Sequence, residues 1–175
     1  MQNAITIYYN ILQYITMLVF KIKNYLKNLL CYIEMEKIVY LDISNKGLDE
    51  LPDLSNYKNL KYLNCSNNNI KSLDGLPKSI KELNCKHNKL TSLDKLPNSI
   101  DILICSNNNL TSLDKLPNSV IFLVCNFNNL ISLDKLPNSI FMLECSYNKL
   151  SSLDKLPKSI STLSCYNNNL PIQKF

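Results

Sequence analysis

Residues 76–100, LPKSIKELNCKHNKLTSLDKLPNSI, contain the spacing that decides the fold. Their cysteine belongs to a series in which a cysteine recurs every twenty residues: Cys65, Cys85, Cys105, Cys125, Cys145 and Cys165. A leucine precedes each of these cysteines by two residues, and an asparagine follows each by three. A fixed period of this length indicates a repeat architecture in which each unit stacks on its neighbour.

Within one unit the apolar positions follow L-x-x-L-x-C-x-x-N-x-L, as in Ile80, Leu83, Cys85, Asn88 and Leu90. An earlier unit of 22 residues begins near residue 38 and has lysine at position 46, where the asparagine belongs. We count seven units, the last of them truncated.

Each Leu-x-Cys segment predicts a short strand that pairs in parallel with its neighbours, about 4.8 Å apart. The leucine and the cysteine point inward, and the asparagine satisfies backbone groups where the chain turns off the strand. The return leg of each unit contains a proline, for example Pro97, and is too short for an α-helix. We therefore expect an extended or irregular convex side and short parallel strands on the concave side.

The quoted run resembles the short twenty-residue leucine-rich repeats of bacterial effector proteins, over about residues 60–170. It departs from them by having aspartate, as at Asp94, where they often have a first proline. The AT-rich character of the composition also resembles uncharacterised leucine-rich repeat proteins of giant DNA viruses. The resemblance implies an α/β-type leucine-rich repeat solenoid acting as a scaffold. Some effectors carry a ubiquitin-ligase domain after the repeats, and we expect no counterpart of that domain in this chain.

The amino-terminal residues 1–36 stand outside the repeats of residues 37–175 and show a helical, apolar or amphipathic pattern. The period is carried by Tyr8, Ile11, Ile15, Leu18, Ile22, Tyr25, Leu29 and Tyr32. Three interpretations stay open: a helical cap on the first repeat, a membrane anchor over residues 4–20, or translated sequence upstream of a start at Met35. A cleavable signal peptide is not indicated, because a basic start and a small-residue cleavage site are missing.

The sequence argues against an enzyme, a cofactor and a metal site. It contains no C-x-x-C, no phosphate-binding glycine loop and a single histidine, His87. In the repeat frame Cys85 faces the core and His87 lies outside it, so we do not expect the two side chains to share a site. Arginine, the usual residue for phosphates and base edges, is absent, which argues against a nucleic-acid partner.

Buried free thiols are typical of a reducing compartment, so the sequence predicts a cytoplasmic protein. If the protein is viral, the compartment is the host cytoplasm. If residues 4–20 anchor the protein, it is associated with a membrane. At the carboxyl end Leu163, Cys165 and Leu170 leave an open edge, which predicts self-association there.

The positions that change from unit to unit indicate the binding surface. Side chains alternate along a strand, so the neighbours of the inward leucine face the concave side. In the middle units these positions are apolar, and we name the following seven residues the apolar patch: Ile102, Ile104, Phe122, Val124, Phe127, Met142 and Tyr147. Ile121 and Phe141 also break the repeat. We expect a protein partner on this patch. The alternative function is that of a membrane-tethered repeat protein anchored by residues 4–20.

Overall fold

A computed structural model of the chain describes residues 2–171, with side chains described from residue 14 onward. One long helix precedes seven strands of three residues each. The elements are α1 (Gln2–Lys37), β1 (Tyr40–Asp42), β2 (Tyr62–Asn64), β3 (Glu82–Asn84), β4 (Ile102–Ile104), β5 (Phe122–Val124), β6 (Met142–Glu144) and β7 (Thr162–Ser164).

The strands form one parallel sheet in the order of the sequence, β1 to β7. The register is uniform, because the central leucine of each strand pairs with the central leucine of the next, as Leu103 does with Leu123. Within the described return legs between these strands the chain forms turns and no helix. The architecture is a parallel-strand solenoid of about six turns with an amino-terminal helix, as the sequence predicts.

The core is a set of columns that run along the solenoid. In the middle units the strand leucine and the cysteine are fully buried, as Leu103 and Cys105 show, and the leucines of the return legs close the core from the other side. Burying an aliphatic side chain of this size contributes about 1.5 to 3 kcal/mol. The repeated apolar positions therefore account for the stacking.

The asparagine column connects each unit to the one before it. Asn128 donates from Nδ2 to the carbonyl oxygens of Cys125 and Cys105, both at 3.1 Å, and its Oδ1 accepts from the N–H of Leu110 at 3.0 Å. Asn88, Asn108 and Asn148 repeat this pattern. Because the bonds reach back to the preceding unit, a first unit needs no asparagine, which explains lysine at position 46.

Two further ladders link the outer side of the units. A serine hydroxyl donates to a carbonyl oxygen of the previous unit, as Ser119 does to Ile100 at 2.6 Å. A lysine pairs with the aspartate of the previous unit, as Lys115 does with Asp94 at 2.7 Å. Both charged side chains are largely exposed, so the ion pair contributes little.

The helix contacts the repeats through its last turns. Lys58 pairs with Glu36 at 2.6 Å, its Nζ donates to the Tyr32 hydroxyl at 2.7 Å, and Asn59 Nδ2 donates to the Glu36 carbonyl oxygen at 2.8 Å. The described side chains before Tyr32 are exposed. In the first unit Leu41 stays half-buried and Val39 is 46% exposed, and the interpretation of residues 1–36 as a cap stays a prediction.

No helix in the described part of the chain is long and apolar enough to cross a membrane. The side chains of residues 4–13, in the predicted anchor, lie outside the described residues, and the anchor stays a prediction. At the other end, Leu163 is 42% exposed and Cys165 is half-buried. Self-association at that end also stays a prediction.

Candidate functional site

Five residues of the apolar patch lie on three adjacent strands. Ile102 pairs with Phe122, and Phe122 pairs with Met142, across β4, β5 and β6. Ile104 and Val124 form a second row beside them. All five side chains are half-buried, whereas the leucines between them are fully buried. The structure therefore brings the predicted residues together on the outward face of the sheet.

The other two residues of the patch form an aromatic stack just after the strands. The rings of Phe127 and Tyr147 lie with their centroids 4.1 Å apart and their planes 10° apart. Each side chain is 48% exposed. The stack extends the apolar rows of β5 and β6 by a pair of exposed rings in neighbouring units.

The backbone at these two residues is left-handed, with φ of 54° at Phe127 and 57° at Tyr147. The same conformation recurs at the equivalent position of every described unit, where the other residues are Asn45, Asn67, His87, Asn107 and Asn167. Asparagine tolerates this conformation because its short side chain bonds locally, whereas for a bulky residue it is an outlier. The aromatic pair therefore replaces the residue type that suits the backbone.

The hydrogen-bond ladder of the solenoid imposes this conformation. The N–H of Phe127 donates to the carbonyl oxygen of Ser146 at 3.0 Å, and the N–H of Tyr147 donates to that of Tyr166 at 2.8 Å. The N–H of Asn107 makes the same bond, to Asn126, at 2.9 Å. Units with asparagine and units with an aromatic residue make the same bond. The turn therefore sets φ at this position independently of the side chain.

The left-handed backbone opposes the gain from the aromatic contact. A left-handed conformation costs an ordinary residue roughly 1 to 2 kcal/mol, and it occurs at both Phe127 and Tyr147. An aromatic pair returns only about 0.5 to 1.5 kcal/mol beyond its buried area. Backbone strain that is kept at an exposed position is typical of functional sites.

Two further apolar residues adjoin the patch. Ile121 is 38% exposed, and Phe141 is 47% exposed and meets the Phe122 ring edge-on, with centroids 6.5 Å apart. Both precede a strand at a position that is lysine in two earlier units, Lys61 and Lys81. The change from lysine to an apolar residue is the signal in the sequence that identifies them.

Polar groups border the patch on both sides. Toward the amino terminus Glu82 and Asn84 of β3 pair with Ile102 and Ile104. Farther along, on β1, Asp42 accepts from Asn64 Nδ2 at 3.0 Å. Hydrogen bonds from Ser44 hold the pKa of Asp42 below its ordinary value. Toward the carboxyl terminus Asn126 Nδ2 donates to a Glu144 carboxylate oxygen at 3.0 Å. The outward face thus has an apolar centre between two polar, acidic borders.

The buried cysteines of the column offer no accessible nucleophile in the described units. The cysteines are unbridged, and those of the core have no exposed surface. Burial raises the pKa of the Cys65 thiol to about 12, so this thiol is protonated at neutral pH. His87 is exposed and lies in the turn with φ of 53°, outside the core that contains Cys85, as predicted. Among the described side chains no group of His, Cys, Asp and Glu could hold a metal ion.

The model of the leucine-rich repeat family, described as "Leucine Rich repeats (2 copies)", matches residues 36–78 and 58–98. The structural units of these residues are the same as those of the rest of the stack. These units are leucine-rich repeats. A search of curated proteins found no match to this leucine-rich repeat chain.

Solved leucine-rich repeat structures share the fold. The leucine-rich repeat domain of APL1B superposes with a TM-score of 0.66 at 22% identity, over 77% of this chain and 44% of that one. The leucine-rich repeat domain of a Shigella effector does so with a TM-score of 0.56 at 28% identity, over 77% and 51%. An internalin of Listeria monocytogenes superposes with a TM-score of 0.62 at 18% identity, over 78% of this chain and 50% of that one.

This leucine-rich repeat chain thus spans about half the length of the proteins that it matches. The Shigella structure confirms the resemblance to bacterial effector repeats. The resemblance to viral proteins stays a prediction.

Proposed function

We propose that this leucine-rich repeat protein is a non-enzymatic binding module that holds a protein partner on the apolar patch. The observation that carries the proposal is the stack of Phe127 on Tyr147, two half-exposed rings held in a left-handed backbone that suits asparagine better. A protein partner that covers the two rings explains why Phe127 and Tyr147 replace asparagine at these positions.

The composition of the surface supports a protein as the partner. Aromatic residues and methionine are enriched at the centres of protein interfaces, and the patch combines Phe122, Phe127, Tyr147 and Met142. Polar groups such as Glu82 and Glu144 border this centre and supply the rim of such an interface. A row of parallel strands in a solenoid offers an extended surface suited to a protein segment.

The experiment compares two double variants by proximity labelling in the native cell. Phe127→Asn with Tyr147→Asn removes the stack and keeps a residue that suits the backbone. Tyr40→Ser with Tyr62→Ser is the matched control, because it removes two exposed aromatic rings from the same face outside the patch. We expect the first variant to lose partners that the wild type and the control both label. Equal labelling by all three proteins contradicts the proposal.

We also propose that the protein resides in the cytoplasm, where its buried thiols stay reduced. The unbridged cysteines of the core support this proposal. Titration of the native protein, purified without reductant and then unfolded, should find all its thiols free. A protein without free thiols excludes a reducing compartment.

A further inference from the structure

The exposed surface of α1 carries a regular apolar pattern. Six aliphatic residues recur at intervals of three and four along the helix: Ile15, Leu18, Ile22, Leu26, Leu29 and Ile33. With 3.6 residues per turn, they fall within roughly 80° of one another and form one stripe, about 30 Å long. Each is between 41% and 50% exposed, so the repeats do not cover this apolar stripe.

The charges beside the apolar stripe indicate what covers it. Between Tyr14 and Ile33 the helix has three lysines and no acidic residue. Lys21 and Lys23 project roughly 100° to either side of the centre of the stripe, and Lys27 lies farther round on the side of Lys23. Lysine at such positions extends its ammonium group to the headgroups of a lipid surface while its stem stays apolar.

Tyrosine residues follow one edge of the apolar stripe. Tyr14 and Tyr25 are 61% and 69% exposed and lie between the aliphatic residues and Lys21 on the helix circumference. Tyrosine favours the boundary between hydrocarbon and water, because its ring is apolar and its hydroxyl is polar. Along this edge the order of aliphatic, aromatic and basic residues therefore matches the order of layers at a membrane surface.

A second copy of the chain fits the stripe less well. Helices that associate through an apolar seam select their partner by opposite charges beside the seam. Between Tyr14 and Ile33 both borders of the stripe carry lysine only, so along that length like charges meet in a pair of helices whichever way the copies are aligned. An anionic surface neutralises the same lysines, and complementarity of charge thus favours lipid.

We propose that α1 lies in the plane of an anionic membrane surface, with the apolar stripe in the headgroup–acyl boundary and the lysines against lipid phosphates. The contact of Lys58 with Glu36 then connects the leucine-rich repeats to a helix that is bound to lipid. This inference does not rest on the proposed binding of a protein partner.

The test uses the full chain and flotation with vesicles of phosphatidylcholine, with or without phosphatidylserine. We expect binding to the anionic vesicles and its release by salt. Lys21→Gln with Lys23→Gln and Lys27→Gln should weaken binding roughly 100-fold, since each lysine near such a surface contributes about fivefold. Leu18→Gln with Ile22→Gln should weaken it more than about tenfold, because two buried aliphatic side chains are lost.

The matched control is Met17→Gln with Phe20→Gln, which removes two apolar residues from the opposite side of the same helix. Glutamine is a good helix former, and circular dichroism checks that each variant keeps its helix. We expect the control to bind within about twofold of the wild type, since these side chains do not enter the boundary.

Three results overturn the proposal. The first is a full chain that binds neither kind of vesicle. The second is equal binding by the Leu18/Ile22 variant and the Met17/Phe20 variant. The third is a wild type that sediments as an oligomer, becomes a monomer in the Leu18/Ile22 variant and does not float with vesicles, which assigns the stripe to self-association.

Discussion

The ring of Phe127 lies parallel to the ring of Tyr147, 4.1 Å away, although both residues have the left-handed backbone that their neighbours in the column fill mostly with asparagine. The solenoid itself does not need this pair. Its hydrogen-bond ladder imposes φ on each turn, and the side chain at that turn is free to serve another purpose.

Asparagine at both positions should stabilise the protein. Phe127→Asn with Tyr147→Asn relieves about 1 kcal/mol of strain at each residue and loses about 1 kcal/mol of ring contact. We expect the free energy of unfolding in urea to rise by about 1 kcal/mol.

The converse control for this pair is Asn107→Ala, which places a residue with a Cβ and no amide in the same conformation. It should lower the free energy of unfolding by about 1 kcal/mol. A loss of stability in the Phe127/Tyr147 variant instead shows that the rings serve the fold.

The facing of the side chains can be tested on β5 and on the turn that follows it. Phe122→Ser with Phe127→Ser should leave the far-UV circular dichroism of the protein unchanged, because both side chains reach solvent. Leu123→Ser, between them, should lower the free energy of unfolding by about 3 kcal/mol or more, because the leucine is fully buried. If the first variant unfolds, those phenylalanines belong to the core.

The asparagine ladder should be the most sensitive polar element. Asn128→Ala leaves the Leu110 N–H without its partner. It also removes one of two amide donors from the carbonyl oxygens of Cys125 and Cys105, which keep their bonds from Asn148 and Asn108. An unpaired buried group costs about 1 to 3 kcal/mol, and we expect a loss of stability of about this size in urea unfolding.

Asn129→Ala is the matched control for the ladder. The side chain of Asn129 is the next one along the chain and makes none of the ladder bonds, so its removal should change stability by less than about 0.5 kcal/mol. Similar losses in the two variants are evidence against a structural role for the asparagine column.

The cysteine column should make stability depend on alkaline pH. Burial raises the pKa of Cys65 from 9.0 to about 12, so the folded thiol keeps its proton over a range in which the unfolded thiol loses it. The stabilisation is complete below about pH 9 and is lost as pH rises toward about 12.

This dependence is measured by urea unfolding between pH 9 and 10, which lies inside that window. Cys65→Val removes one such group, and its stability should fall less than that of the wild type, by about 1 kcal/mol between pH 9 and 10. Equal slopes in the two proteins show that the thiol of Cys65 ionises as readily in the folded state.

Most of the scaffold could be predicted from the sequence because every unit repeats the same local packing. The inward pairs such as Leu103 and Cys105 and the asparagine at position 128 recur at identical spacing, so each unit confirms the others. The members of the apolar patch could be named for the complementary reason, since they are the residues that leave the pattern.

The conformation of the patch was harder to predict. Alternation along the strand assigns the residue at position 127 to the outward face, but the residue lies in a turn that follows β5. The asparagines at the equivalent positions 45, 67, 107 and 167 were the available signal, because asparagine favours a left-handed turn.

The amino-acid sequence by itself determined the solenoid, because a strict period of twenty residues leaves one way to bury every leucine and cysteine while pairing every strand. Only the tertiary structure decided that Phe127 and Tyr147 stack in a strained backbone and that α1 leaves its apolar stripe uncovered. Both features depend on contacts between elements far apart in the chain, through the ladder bond from Phe127 to Ser146 and the contact of Lys58 with Glu36. No local pattern of residues specifies such contacts.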